Sequence, residues 1–280
     1  MAEDAWTPSA PVLIVVGHYG VGKTNLSLNL ALDGAARGMD VTLADLDVVN
    51  PYFRSSDYTT MLEEAGVRMI APVMAGTTLD SPSLSGQVTT AIEQAQTRWS
   101  HDTSERSIES SRSDSPARTK APLALSACAE LAWWTPSSAF ERCPLLIIDA
   151  GGDDVGATAL GRFARSIKQG AYEMLYVVNR SRNLTQTSEE TVAILREIEA
   201  KSHLCATAIV NNTHLKQDTD EHVIAQGLPF AQEVADNSGL PLAFTTVPRA
   251  LFDRKSTLID PNEGQQMFYP VQVYVRTPWE

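Results

Sequence analysis

Basic residues are in short supply in this sequence: 22 lysines and arginines stand against 34 aspartates and glutamates, a formal net charge of −12. A surface of that sign repels phosphate backbones and anionic lipid headgroups, which argues against non-specific binding to nucleic acid or membrane surfaces. Cysteine is scarce as well. Cys128, Cys143 and Cys205 form no CxxC pair and no metal-ligand spacing, so a disulfide framework and a zinc finger are both excluded. The five histidines make no metal cluster, and no Ser-His-Asp arrangement can be argued from their spacing. Apolar runs stay well short of the ~20 residues that a membrane-crossing helix needs. Met1 to Trp6 is acidic, with no basic stretch leading into an apolar one, so no signal peptide is expected. A cytoplasmic protein with reduced thiols is the expectation. No tandem repeat is visible.

What is present points to a parallel sheet. With 280 residues, 43% of them hydrophobic, the chain can bury the core of one α/β domain. Pro11 to Val16 is a continuous apolar run of strand length, the kind that helices cover on both faces. Lys23 to Arg37 then reads as a helix stopped by Gly38. Further strands are expected at 41–44, 68–72, 145–148, 174–178, 206–210 and 243–247, and the clearest helices between them at 188–200 and 221–236. Alternation of this sort specifies a doubly wound, mostly parallel α/β sheet, with ligands at the carboxyl ends of its strands.

The Ser-rich segment 100–120, SHDTSERSIESSRSDSPARTK, has few large apolar side chains and is expected to be a disordered insertion in an otherwise single domain spanning 1–280. Trp133-Trp134 beyond it has two readings, an exposed contact or helix-end core packing. Asp80 or Ser81 is expected to cap a helix.

Three motifs carry chemistry. The first is Gly17-His18-Tyr19-Gly20-Val21-Gly22-Lys23-Thr24, the G-x-x-x-x-G-K-[ST] pattern, which arises by chance in roughly one chain in a hundred of this size. Its glycines let backbone amides turn inward on a phosphate, Lys23 reaches the β- and γ-phosphates, and the Thr24 hydroxyl is placed for Mg²⁺. Asn25 follows on the helix and belongs to the same candidate nucleotide site. Asp149 is the second. It ends the apolar run Pro144 to Ile148 as a Walker B carboxylate does, and the Gly151-Gly152 turn after it offers a Gly152 backbone N–H to the γ-phosphate. The third is Asp45-Leu46-Asp47, two carboxylates at i and i+2. Asp47 is the candidate for positioning the attacking water and touching the metal, and Asp45 for supporting the metal shell.

These strings resemble the ParA/MinD branch of P-loop ATPases, and GHYGVGKT, DLDVVNPYFRSSD, DAGGDDVGATALGRF and VNNT are closer still to a bacterial subgroup of CobQ/CobB/MinD/ParA nucleotide-binding proteins. The resemblance implies ATP with Mg²⁺, a water-directing role for Asp47 and a Walker B role for Asp149. It places Asn211 and the pair Pro248-Arg249 near the base. It also implies a nucleotide-dependent homodimer and a protein partner, in a switch with slow turnover. One departure stands out. The family carries a lysine directly after the first P-loop glycine, where this sequence has His18, with Tyr19 next. Arg54 is the candidate to supply the missing charge, as an arginine finger. MinD's basic amphipathic membrane helix has no counterpart in Pro270 to Glu280, which reads as strand. Guanine remains open as an alternative base, because Asp149 to Gly152 also fits D-x-x-G and Leu215-Lys216-Gln217-Asp218 weakly matches the guanine-reading motif. So does another activity on the same fold: an ATP-dependent ligase or kinase of the dethiobiotin-synthetase type, or a binding module without turnover.

Overall fold

The structure is a computed structural model that describes residues 6–47, 58–71, 84–110, 143–152, 154–182, 185–214, 218–254 and 267–275. Strand β1, Val12–Val16, is apolar throughout and buried on both faces. Val12, Ile14 and Val16 enter one apolar cluster, Leu13 and Val15 another on the opposite face. A strand with one wet face would alternate in polarity; this one does not, because helices cover both sides.

Helix α1, Lys23–Ala36, begins directly at the end of the glycine loop and closes through Gly38, in the left-handed region at φ 83°. The Gly38 amide donates to the Ala35 carbonyl and the Met39 amide to that of Gly34. These bonds satisfy carbonyls that the helix leaves open and return the chain sharply to the sheet. In chain order there follow β2 (Asp40–Leu46), α2 (Thr59–Glu64), β3 (Arg68–Ile70), α3 (Leu84–Ser110), β4 (Pro144–Ala150) and α4 (Asp154–Gly161). Then come β5 (Tyr172–Val178), α5 (Ser188–Ser202), β6 (Ala208–Asn211), α6 (Glu221–Ser238), β7 (Leu242–Pro248), α7 (Arg249–Asp253) and β8 (Phe268–Val271).

All eight strands are parallel and lie in the order β3-β2-β4-β1-β5-β6-β7-β8. From the central β1 the chain runs outward through β2 and β3, returns to β4, and crosses to β5 on the other side. The loop leaving β1 is therefore flanked by the loops leaving β4 and β5. Parallel order turns every strand's carboxyl end the same way, so these three loops share one edge.

One expectation changes. Composition predicts an irregular insertion from Ser100 onward, but α3 continues to Ser110. No proline or glycine interrupts 87–110, so nothing in the backbone stops the helix there. Residues 111–120 lie outside the described residues, as do Trp133-Trp134 and Asp80-Ser81. Among the described residues, no helix is long and apolar enough to cross a membrane.

Candidate nucleotide site

The P-loop takes its shape from three glycines with φ in the left-handed half of the map: Gly17 at 153°, Gly20 at 75° and Gly22 at 93°. Side chains are excluded by space as well as by strain. A Cβ on Gly17 would stand 2.5 Å from the Val177 carbonyl oxygen, and one on Gly22 would stand 2.4 Å from Asn212 Nδ2. The loop is thus wedged between β5 and the segment after β6. Lys23 folds back through it, its Nζ donating to the His18 carbonyl at 3.1 Å, and is only 6% exposed. Thr24, the next residue of α1, is buried at the mouth of the same loop.

On the β4 side, Gly152 presses against the loop. A Cβ there would lie 2.5 Å from Lys23 Nζ, 2.7 Å from the Tyr19 amide nitrogen and 2.9 Å from the His18 carbonyl carbon. The turn after Asp149 is therefore in contact with the lysine and the backbone that would hold phosphates. Asp45 and Asp149 are register partners on adjacent strands, both fully buried. Carboxylates shielded from water side by side suit a nearby cation. Asp45 also shapes its own corner, since its Oδ1 accepts the Asp47 backbone N–H at 3.0 Å and so fixes the turn that presents Asp47. Asp47 is 7% exposed there.

No three His, Cys, Asp or Glu side chains among the described residues converge to hold a metal by themselves. Magnesium fits the remaining donor set nonetheless. It favours one or two carboxylates with a hydroxyl, leaving other positions to phosphate oxygens and water. Thr24, Asp149 and Asp47 are the residues that would hold it.

His18 sits half-buried at the loop's outer edge. Burial first, and the Lys23 ammonium second, hold its imidazole below the ordinary histidine range. At neutral pH it is uncharged and cannot replace a lysine. Because the folded chain resists protonation of His18 while the unfolded chain does not, the contribution of His18 to stability is lost as pH falls from ~6.5 toward its lowered folded-state pKa and is constant above ~6.5. We expect the urea midpoint to fall less between pH 7.5 and pH 5.5 in His18→Gln than in wild type. Equal falls in the two proteins would remove His18 as a contributor.

On the β6 side, the neighbour of the expected base contact orders the loop. Asn211, the expected base contact, is fully buried at the end of β6. Its Oδ1 accepts the Thr213 amide and its Nδ2 donates to Thr245 Oγ1, so its amide serves the scaffold. The neighbouring Asn212 makes the link: Nδ2 donates to the Val21 carbonyl at 2.7 Å, while Oδ1 accepts from Thr246 Oγ1 at 2.6 Å. It fastens the P-loop to β6 and β7. His214 stands beside it, with Nε2 2.9 Å from the Cβ position of Gly22.

Asn25 is also a scaffold residue. Its Nδ2 donates to the Gln272 carbonyl and its Oδ1 accepts the amides of Tyr274 and Val275, while Asn29 clasps both backbone groups of Gln272. Together they bind the segment after β8 to α1. Pro248 closes β7 at the sheet's carboxyl edge, two residues past Thr246, and Arg249 opens α7. Arg54 and Leu215 to Gln217 lie outside the described residues. Beside the P-loop a groove of about 510 Å³ opens between α4 and α5, lined by His18, Tyr19 and Gly152 at one end. Ile194 and Ile198 form apolar wall, Glu190 and Glu197 supply acid, and Asp154 pairs with Lys201.

Residues 12–236 match the model of the CbiA family, the CobQ/CobB/MinD/ParA nucleotide-binding domain. The chain belongs to this family. It is a nucleotide-binding P-loop domain of the ParA/MinD-like class, with the parallel α/β sheet expected of it. No curated protein matches the chain.

Solved structures similar to this family member include the signal recognition particle 54 kDa protein of Aeropyrum pernix K1 in complex with GDP, at 16% identity and a TM-score of 0.47, over 87% of this chain and 43% of that one. The signal recognition particle receptor FtsY of Elizabethkingia anophelis in complex with GDP is 17% identical with a TM-score of 0.44, over 87% of this chain and 59% of that one. FtsY of Thermotoga maritima is 18% identical with a TM-score of 0.45, over 88% and 65%. The chain spans less than two thirds of the length of each.

Proposed function

We propose that this chain is a magnesium-dependent ATPase of slow turnover that works as a nucleotide-operated switch. The observation that carries the reading is the contact between Gly152 and the P-loop. The turn leading from Asp149 into α4 abuts Lys23 Nζ and the His18–Tyr19 backbone, so it is placed to respond when a γ-phosphate arrives or leaves. Lys23 exchanges its bond to the His18 carbonyl for phosphate oxygens when the triphosphate binds. Thr24, Asp149 and Asp47 would hold magnesium, which would neutralise phosphate charge. Asp47, presented by the Asp45 turn, orients the attacking water. The output is a contact with a protein partner or a second copy of the chain.

Asp47→Ala is expected to retain ATP binding at saturating Mg²⁺, weakened at limiting Mg²⁺ by the loss of one metal ligand, and to lose phosphate release by a factor of roughly 10² or more, the scale of a positioned general base. Light scattering and phosphate release followed together, with ATP and Mg²⁺, check it. Full activity in the variant removes Asp47 from the mechanism; no release from wild type at any protein concentration removes the ATPase and leaves a binding module. Competition between ATP and GTP in the same assay decides the base.

The groove between α4 and α5 favours a second reading. It opens at His18, Tyr19 and Gly152, where a small acceptor molecule would lie next to the γ-phosphate, as an ATP-dependent ligase or kinase requires. ATP consumption that rises tenfold or more with one candidate carboxylic acid would favour it over the switch.

A further inference from the structure

We propose that Arg182 supplies the second positive charge of the phosphate site. The inference rests on the nucleotide reading above and adds to it a residue on the opposite flank of the P-loop. An acidic chain has to concentrate positive charge locally where it binds phosphates. The loop position directly after Gly17 contributes none, since His18 is held neutral. Lys23 covers the side of the loop that faces Gly152.

Arg182 covers the other side. Strand order puts β5 next to β1, with Val16 opposite Tyr176, so the loop leaving β5 emerges beside the P-loop. The Arg182 side chain reaches back across it, and its Cδ comes 4.0 Å from the Cβ position of Gly20. Its backbone is held by a built turn. The Arg182 amide donates to the Asn179 carbonyl at 3.2 Å, and Thr185 Oγ1 donates to the carbonyls of Asn179 and Arg182. Asn179 Oδ1 accepts the Ser181 amide. Asn179 and Thr185 are both buried, so the turn is anchored in the core.

Within that turn the guanidinium Nε is shut off from water and donates to nothing among the described residues. A buried donor without an acceptor is costly, and proteins keep such groups chiefly where a ligand completes them. A phosphate oxygen at the P-loop is an acceptor of the right charge for a planar fork that binds phosphate in two places. Nucleoside di- and triphosphates are therefore the ligands that Arg182 discriminates from nucleosides.

The test measures affinities of the full chain for ATP, ADP and adenosine, with GTP, GDP and guanosine in parallel, in wild type, Arg182→Ala, Arg182→Lys and Lys23→Ala. Arg182→Ala is expected to bind the di- and triphosphate of the preferred base 10- to 100-fold more weakly and the nucleoside equally well. Its affinity is also expected to depend less steeply on salt, and Arg182→Lys should recover part of the loss. Binding of ATP and ADP within twofold of wild type in Arg182→Ala, while Lys23→Ala fails to bind, overturns the role of Arg182 alone. An equal loss in the Ala and Lys variants accompanied by a lowered melting temperature marks a folding residue and overturns it too. If wild type binds no nucleotide, or Lys23→Ala binds as well as wild type, the nucleotide reading itself falls.

Discussion

Lys23→Ala is expected to abolish nucleotide binding while leaving the empty protein as stable as wild type. Lys23 is 6% exposed and its ammonium donates to the His18 carbonyl. Holding a cation away from water costs free energy that such a bond offsets only in part, so a buried charge adds little net stability to an empty fold. With a triphosphate present the balance reverses. Charge-assisted hydrogen bonds to phosphate contribute about 1.5–3 kcal/mol each, and Lys23 is placed to make more than one. Affinity should fall by a factor of at least ~100, corresponding to roughly 3 kcal/mol. The melting temperature without nucleotide should stay within ~3 °C, about 1 kcal/mol for a chain of this size. Calorimetric titration beside a thermal scan, each with and without ATP, checks both halves. Unchanged affinity in a folded variant removes the P-loop assignment. A collapse of the empty protein means that Lys23 is a structural residue.

That separation between site and scaffold also governs what could be read in the sequence. Val12–Val16, 145–148 and 174–178 are apolar because helices cover both faces of the sheet, so they announce themselves as strands without any knowledge of the fold. Helix α1 has its start fixed by glycines and its stop by Gly38, both local signals. The P-loop is legible for the same reason: its chemistry needs glycines at 17, 20 and 22 in backbone conformations that other residues resist. Short elements are not. Helix α4 is eight residues beginning in a string of glycine and aspartate, and it holds its place through Gly156, where a Cβ would come within 2.4 Å of Gly151. Only the packing of that turn against its own helix reveals it.

Side-chain direction at strand ends is equally hidden. Asn211 and Asn212 are indistinguishable as text, yet one is spent on Thr213 and Thr245 while the other holds Val21 and Thr246. Asn25, next to Thr24, turns its side chain to the segment after β8, which its place in the motif does not show. Arg182 carried no motif at all; its relevance comes from strand order, which sets β5 beside β1. Residues whose role depends on their own backbone were visible. Those whose role depends on a neighbouring strand were not.

Gly152→Ala tests the most consequential of those neighbouring contacts. Its φ is not in the left-handed region, so alanine brings no backbone strain. The added methyl instead meets three atoms at once, 2.5 Å from Lys23 Nζ, 2.7 Å from the Tyr19 nitrogen and 2.9 Å from the His18 carbonyl carbon. Lysine has a flexible stem and can yield. The two backbone atoms belong to the loop whose amides would cradle phosphate, and they yield only if the cradle opens or the turn after Asp149 withdraws. Overpacking of this kind costs about 1–3 kcal/mol. Most of that cost should appear in binding, since the loop is partly exposed and the strands beneath it are untouched. Nucleotide affinity is expected to drop ~10- to 100-fold. Gly86→Ala is the control: nothing lies within 4 Å of its Cβ position, and in helix α3 alanine is favoured over glycine by about 1 kcal/mol. If both variants bind alike, the Gly152 turn does not press on the cradle in solution, and the coupling between phosphate and α4 that the switch requires is lost. If Gly152→Ala binds weakly yet melts near wild type, the turn after Asp149 is the element through which the phosphate is felt.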